Sequence, residues 1–388
     1  MRKNFYLSFL ILLLLFNQSV SHSQSGMDSN RAINNIPRQI APFFRPPPEL
    51  ANDFGKYRSP LTFYNGTHVK TQQDWKKRRN EIIKTWHGIM GHWPPMIENP
   101  KIEYLGKKRR ESFTQYQVRV EIAPNRQTVD GYLLVPDGMK LFPAMLIVYY
   151  DAETAVGLGK ELRDFGYQLT KRGFVTLSIG TPEFASLKAP YKPLYESALD
   201  ETTLQPLSAL AYVAANCHTA LARTPKVDPD RIGIIGHSYG GKWAMFASCL
   251  YDKFACTVWS DPGIVFDESR ANVNYWEPWY LGFDPNQQRQ RGIPNAANPR
   301  TGAYRKLFIE GYDLHELHAL MAPRPFLVSG GSEDRPERWK ALNHSIAVNK
   351  LLKRANSVAM TNRKAHSPVP ESNEQIYIFL EHFLAKQQ

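Results

Sequence analysis

Gly236-His237-Ser238-Tyr239-Gly240 places a serine between a short apolar run, Ile232 to Ile235, and a small-residue stretch, Lys242 to Leu250. A serine on a sharp strand-to-helix turn needs neighbours without bulk two positions away on either side, because the helix folds back against the strand with almost no clearance. Gly236 and Gly240 supply that room, so the segment reads as a nucleophile elbow with Ser238 at the positive end of a helix. A serine hydroxyl is barely acidic near neutral pH. It needs a base to take its proton and a carboxylate to orient that base. On this type of elbow the partners follow in the order serine, acid, histidine. His366, in Arg363-Lys364-Ala365-His366-Ser367, is the expected base. Three carboxylates compete for the third place: Asp334 first, Asp261 second and Glu333 third. Asp334 and Glu333 stand in an acid-bearing loop after the run Pro325 to Ser329, whereas Asp261 ends the run that follows the elbow helix. The oxyanion donors are expected to be the backbone N–H of Tyr239 and that of Asp151 or Ala152, at the end of the run Ala144 to Tyr150. His237, His315 and His218 lack partners at metal-ligand spacing, so no metal and no cofactor is expected.

The elements that must position these residues alternate along the chain. Tyr116-Val118-Val120-Ile122 and Gly131 to Val135 predict two antiparallel strands joined by a turn near Pro124-Asn125. Solid apolar runs then predict buried strands at Ala144 to Tyr150, Phe174 to Ile179, the elbow strand, Ala255 to Trp259, Pro325 to Ser329 and Val358 to Thr361. Helices are predicted between them at Leu158 to Arg172, Glu201 to Ala222 and Lys242 to Leu250, with a last one around Ile376 to Leu384. Such alternation implies a mostly parallel sheet covered on both faces, the α/β-hydrolase layout. Thr71 caps a further helix whose apolar face carries Trp75, Ile82, Ile83 and Trp86 and which Pro94-Pro95 ends. Between Asp261 and about Arg305 the rhythm breaks and Tyr275, Trp276, Trp279 and Tyr280 crowd together. An insertion of about 262–305 at the carboxyl end of a strand lies near the site, as a lid or substrate wall. Trp276, Glu277 and Trp279 are its expected sugar-facing residues, since indole faces stack on pyranose rings.

The 388 residues suffice for one large domain with extensions. Arg2 and Lys3 followed by the apolar run Phe5 to Phe16 and small polar residues predict a signal peptide over 1–23. That run is about twelve residues, too short for the ~20 that span a bilayer, so no stable membrane span is expected after cleavage and the protein is expected to be secreted or periplasmic. Residues 24–70, with Pro46-Pro47-Pro48, read as an extended arm, and 71–388 as the catalytic domain. Three cysteines exclude a disulfide framework, and their apolar neighbours favour buried thiols. A net charge of +12 favours acidic partners such as an acidic polysaccharide. The basic residues are scattered, which speaks against nucleic acid, and Lys107 to Arg110 read as a solvated turn.

Three separated segments carry a resemblance: DWKKRRNEII with GHWPP, then GHSYGGKWA, then DLHELHALMAPRP running on to GGSEDRPERW. With these the chain resembles secreted bacterial carbohydrate esterases, the group that includes glucuronoyl esterases and acetyl xylan esterase-like enzymes. The resemblance implies a serine esterase acting on plant or algal polysaccharide through an acyl-enzyme, with Ser238 as nucleophile and His366 as base. It also implies that Lys242 helps hold the sugar. The chain departs from glucuronoyl esterases at Tyr239, where they carry an arginine that assists the oxyanion hole, and at His237, where they carry cysteine. O-acetyl and uronate esters both stay open, with the Tyr239 hydroxyl as a stand-in donor. GHSYGG also resembles the elbow of prolyl-oligopeptidase-type peptidases, which makes a secreted peptidase one alternative and a non-catalytic carbohydrate-binding relative another.

Overall fold

A computed structural model of the protein describes residues 35–181 and 204–385. The expected signal peptide (1–23), the first part of the arm and the expected helix start at Glu201 lie outside the described residues. The apolar runs become one sheet: β1 (Ile102–Arg110), β2 (Phe113–Ala123), β3 (Gln127–Pro136), β4 (Phe142–Val148), β5 (Val175–Ile179), β6 (Val227–His237), β7 (Cys256–Ser260), β8 (Phe326–Gly330) and β9 (Val358–Asn362). Their spatial order is β1-β2-β3-β5-β4-β6-β7-β8-β9. The β1–β2, β2–β3 and β3–β5 pairs are antiparallel, and every pair from β5 through β4 to β9 is parallel. Every residue of β4, β5, β7 and β8 is buried, as strands covered on both faces require.

Helices cover the two faces: α1 (Gln72–Met90), α2 (Phe165–Lys171), α3 (Pro206–Ala222), α4 (Tyr239–Leu250), α5 (Gly302–Ile309), α6 (His315–Ala319), α7 (Trp339–Leu351) and α8 (Pro370–Leu384). The Thr71 hydroxyl accepts from the Asp74 amide and Asp74 returns the bond, a reciprocal cap that starts α1. α1 ends at Gly91, in left-handed φ (86°), ahead of the predicted proline pair. Residues 35–70 run over the surface of these elements. Phe44 stacks on Phe379 of α8, Asn343 and His344 of α7 donate to carbonyls of Leu50, Asp53 and Phe54, and Arg78 of α1 donates to Pro60.

Three local expectations are corrected. Lys107 to Arg110 are not a turn but the end of β1, an edge strand whose exposed cations leave no alternating apolar signal and blunt edge-to-edge pairing. The helix predicted from Leu158 is confined to Phe165–Lys171, because Gly157 turns the chain in left-handed φ (79°) and Leu162 does so again at 59°. The insertion after β7 is not a loose lid. Tyr275, Trp276, Trp279, Tyr280 and Leu281 all belong to the main hydrophobic core, and Gln205 clamps the backbone of Phe283 through both its amide atoms. The three cysteines are buried thiols.

Candidate active site

Ser238 occupies φ 57°, ψ −112° between β6 and α4, a conformation a side-chain-bearing residue adopts only when its surroundings hold it there. Its amide donates to the Ser260 carbonyl at 2.8 Å. A Cβ on Gly236 would collide with the Gly240 carbonyl, and one on Gly240 with the Val148 carbonyl at the end of β4. The two glycines therefore do what the spacing demanded, and they press the elbow against the β4 terminus.

His366, on the loop after β9, faces the serine. Its Nε2 lies 2.8 Å from Ser238 Oγ and its Nδ1 lies 2.6 Å from Asp261 Oδ2. Asp261 is fully buried, and its other oxygen accepts the amides of Gly331, Glu333 and Asp334 at 2.6, 3.2 and 2.9 Å. The geometry brings the second-ranked acid, Asp261, to His366 in place of Asp334. Asp334 does not reach His366: its carboxylate accepts the amides of Gly263 and Ile264 at 2.8 and 2.6 Å, pinning the loop that follows Asp261. The two aspartates thus hold each other's loops in place. Burial, and then repulsion from Asp261, push the Asp334 carboxyl above the usual range. Glu333 instead bonds Arg270, Asn272 and Ser332; burial opposes its charge, yet these bonds hold its carboxyl below its ordinary value.

The Tyr239 amide begins α4 directly after Ser238, and Tyr149 to Ala152 continue from the end of β4 beside it. The Tyr239 hydroxyl does not turn to the serine. The ring is buried and its oxygen lies 2.9 Å from Thr181 Oγ1. Two residues past the end of β4 stands Tyr150, whose ring stacks on that of Tyr239 with centroids 4.9 Å apart. Burial pushes the Tyr150 phenol up, opposed by the Ser238 side chain and the charges of Arg163 and Arg291, so it stays neutral at neutral pH.

The residues expected to face sugar are placed otherwise. Lys242 is buried; its ammonium donates to the carbonyls of Pro262 and Asn272 at 2.5 and 3.2 Å and lies over the Tyr275 ring. Burial brings its pKa down to about 8 despite Asp334, Glu333 and Asp261 nearby. Trp276 and Trp279 are 1% and 5% exposed, so neither offers an open indole face. Glu277 is sealed beneath the surface by Arg289 at 3.2 Å and the Gly292 amide at 2.8 Å, and burial raises its pKa. These side chains build the wall rather than line it. His237 packs its ring 4.8 Å from that of His366, and burial, with His366 and Arg363 nearby, keeps it neutral. His315 and His218 bond the carbonyls of Arg58 and Lys253 away from the site.

A sequence profile of the prolyl oligopeptidase family matches residues 214–363, from within α3 to just before His366. A 4-O-methyl-glucuronoyl methylesterase of Schizophyllum commune is 22% identical over 287 residues, 68% of this chain, and the chain spans less than two thirds (64%) of that relative's length. Among solved structures, a glucuronoyl esterase from Solibacter usitatus superposes with a TM-score of 0.67 at 18% identity, over 85% of this chain and 98% of that one. The chain has the α/β-hydrolase fold. An acetyl xylan esterase-like protein from Bacteroides fragilis also superposes, with a TM-score of 0.54 at 17% identity over 93% and 89% of the two chains.

Within this α/β-hydrolase, two contributors escaped sequence reasoning. Tyr150 was hidden at the end of an apolar run. Arg363 donates to the carbonyls of His366 and Ser367 at 2.6 and 3.0 Å and to that of Ser329 at 2.7 Å, tying the histidine loop to β8. An arginine three residues before the histidine was a visible signal; its inward direction was not.

Proposed function

We propose that this protein is an exported serine esterase that hydrolyses an ester on a carbohydrate, an O-acetyl or uronate ester of a plant or algal polysaccharide. The observation that carries the reading is the unbroken line Ser238 Oγ, His366 Nε2, His366 Nδ1, Asp261 Oδ2, at 2.8 and 2.6 Å. Ser238 attacks the ester carbonyl while His366 takes its proton. Asp261, fixed by three amides, holds Nδ1–H toward itself and stabilises the imidazolium without accepting the proton. Negative charge on the carbonyl oxygen is met by the Tyr239 amide, by an amide of Asp151 or Ala152, and by the Tyr150 hydroxyl. His366 then protonates the departing alcohol, and water, deprotonated by the same histidine, releases the acid from the serine. The choice of carbohydrate ester is supported by the glucuronoyl and acetyl xylan esterases that the chain resembles. Export is supported by the sequence of residues 1–23; among the described residues no helix is long and apolar enough to cross a membrane.

The test is acid release from an acetylated oligosaccharide and from a methyl-esterified uronate, with Ser238→Ala as control. Release from either substrate that disappears in Ser238→Ala supports the reading and assigns the ester. The prolyl oligopeptidase profile match favours one second reading, a peptidase. Turnover of aminoacyl amides with none of either ester would establish that instead.

A further inference from the structure

Arg363 is the first residue after β9 and stands three residues before His366. Its amide donates to the Gly330 carbonyl at 3.0 Å, one step past the β8–β9 ladder. Its guanidinium uses all three of its nitrogens. Nε donates to the Ser367 carbonyl at 3.0 Å and Nη2 to the His366 carbonyl at 2.6 Å, so the side chain closes a ring with the loop that carries the base. Nη1 donates to the carbonyl and the hydroxyl of Ser329 at 2.7 and 3.1 Å and to the Gly330 carbonyl at 3.2 Å, at the end of β8. Nη2 also reaches the hydroxyl of Ser260, the last residue of β7, at 3.4 Å. These acceptors are all neutral and lie to different sides of the side chain, which a planar fork of five N–H groups meets and a single ammonium does not. Burial disfavours the Arg363 charge, and Asp261 and Asp334 nearby sustain it.

Each of the three stretches adjoins a member of the serine–histidine–aspartate line. Ser260 precedes Asp261, its carbonyl accepts the Ser238 amide at 2.8 Å, and its hydroxyl lies 3.1 Å from His237 Nδ1. Gly330 precedes Gly331, whose amide donates to Asp261 at 2.6 Å. A Cβ on Gly331 would collide with the Ala365 carbonyl, so the loop after β8 and the histidine loop touch. Asp261 holds the His366 ring through Nδ1, and Arg363 holds the backbone beneath that ring.

We propose that Arg363 is a positioning residue for the reaction: by holding the ends of β7 and β8 and the histidine loop in one frame, it fixes where His366 Nε2 stands relative to Ser238 Oγ. This role presupposes that Ser238, His366 and Asp261 form a hydrolase triad. A base must stay within hydrogen-bond reach of the proton it takes, and a displacement of about 1 Å costs on the order of 10²-fold in rate.

Arg363 also lines a surface cavity of about 360 Å3 with Gly331, Arg335, Asn362 and Lys364, so a small cation in solvent can reach the place of a truncated side chain. The parent protein, Arg363→Ala and Arg363→Lys are compared in the rate at which a fluorophosphonate labels Ser238 and in steady-state hydrolysis of p-nitrophenyl acetate. Each is measured with and without guanidinium chloride, far below the concentration that unfolds the protein, and with sodium chloride as control. Arg363→Ala is expected to lower the labelling rate and kcat about 10²-fold, with KM within about twofold of the parent's. Guanidinium restores about tenfold of that loss and sodium chloride none. Arg363→Lys keeps the charge without the fork and stays at least about tenfold below the parent in kcat. A folded Arg363→Ala that reacts at the parent's rate, or that loses activity through KM alone, overturns the positioning role. So does a loss that guanidinium leaves untouched, which makes Arg363 a prop of the loops rather than of the base's placement. If Arg363→Ala does not fold, Arg363→Lys decides, and a parent-like kcat in it, or failure of both variants to fold, overturns the role. A parent protein that the fluorophosphonate does not label overturns the triad itself instead.

Discussion

The two buried aspartates differ in what they touch, and their substitutions separate orientation of a base from support of a loop. Asp261→Asn leaves the three amide donors an oxygen to bond but presents the wrong partner to Nδ1–H, so kcat is expected to fall by about 10³- to 10⁴-fold with little change in KM. Asp334→Asn weakens the hold on Gly263 and Ile264 and leaves His366 its partner. Its expected signature is a loss of stability of about 1–3 kcal/mol in urea unfolding, with a much smaller effect on kcat. Equal loss of kcat in both variants would remove the assignment of Asp261. The tyrosines divide in the same way. Tyr150→Phe removes the hydroxyl proposed to meet the oxyanion, with an expected loss of about tenfold or more in kcat. Tyr239→Phe removes the bond to Thr181, with an expected change of about 1 kcal/mol in stability and turnover close to that of the parent. Serine, histidine and elbow glycines were legible because the chemistry fixes their spacing and chain order. The acid was not, since both aspartates follow buried strands, Asp261 directly and Asp334 four residues on, and only their loop partners distinguish them.

At the scale of elements, two sequence segments far apart turn out to be one structural unit. Arg78 of α1 and Glu316 of α6, both fully buried, lie 3.5 Å apart, and the Glu316 carboxylate also accepts the Trp86 indole and the Tyr64 hydroxyl at 3.2 and 2.8 Å. The Arg78 guanidinium lies over the Tyr64 ring and bonds Glu81. Removing Arg78 leaves the buried Glu316 carboxylate without its ion-pair partner, and removing Glu316 leaves Arg78 only Glu81 to pair with; either is costlier than removing both. Glu316→Ala is expected to cost about 3–5 kcal/mol, and Arg78→Met/Glu316→Leu markedly less than the sum of the single changes, as a double-mutant cycle in urea would measure. Additive losses would show that the two side chains do not act together. The sequence made α1 legible through its cap and apolar face. Its buried arginine was invisible, because a double arginine on a helix reads as solvated surface unless the opposing carboxylate is known. β1 was missed for the opposite reason, since an edge strand exposed on both faces, with four cations in a row, carries no periodic apolar mark.

Across the whole molecule, the response of stability to pH is set by opposed groups. Burial lowers the pKa of His218 to about 4 and of His315 to about 3, whereas burial raises that of Asp313 to about 7. For a histidine whose folded pKa is depressed, the unfolded chain binds the proton first. Its contribution is intact above the unfolded value near 6.5 and is lost as pH falls toward the folded pKa. A buried aspartic acid with a raised pKa acts in reverse: the folded state keeps the proton, so stability falls as pH rises from about 4 to the raised value. The two trends oppose one another in the mildly acidic range, and the net curve conceals both. A single variant exposes one of them. His315 Nε2 lies 2.6 Å from the Arg58 carbonyl, and Tyr57 and His344 pack on its ring. His315→Gln can keep the bond to Arg58 but cannot titrate. Relative to the parent, the variant is expected to gain on the order of 1 kcal/mol for each pH unit below about 6.5, with no pH-dependent difference above pH 7. Urea unfolding of both proteins between pH 8 and pH 4.5 measures this, and parallel curves across that range would mean that His315 is not held neutral by its burial.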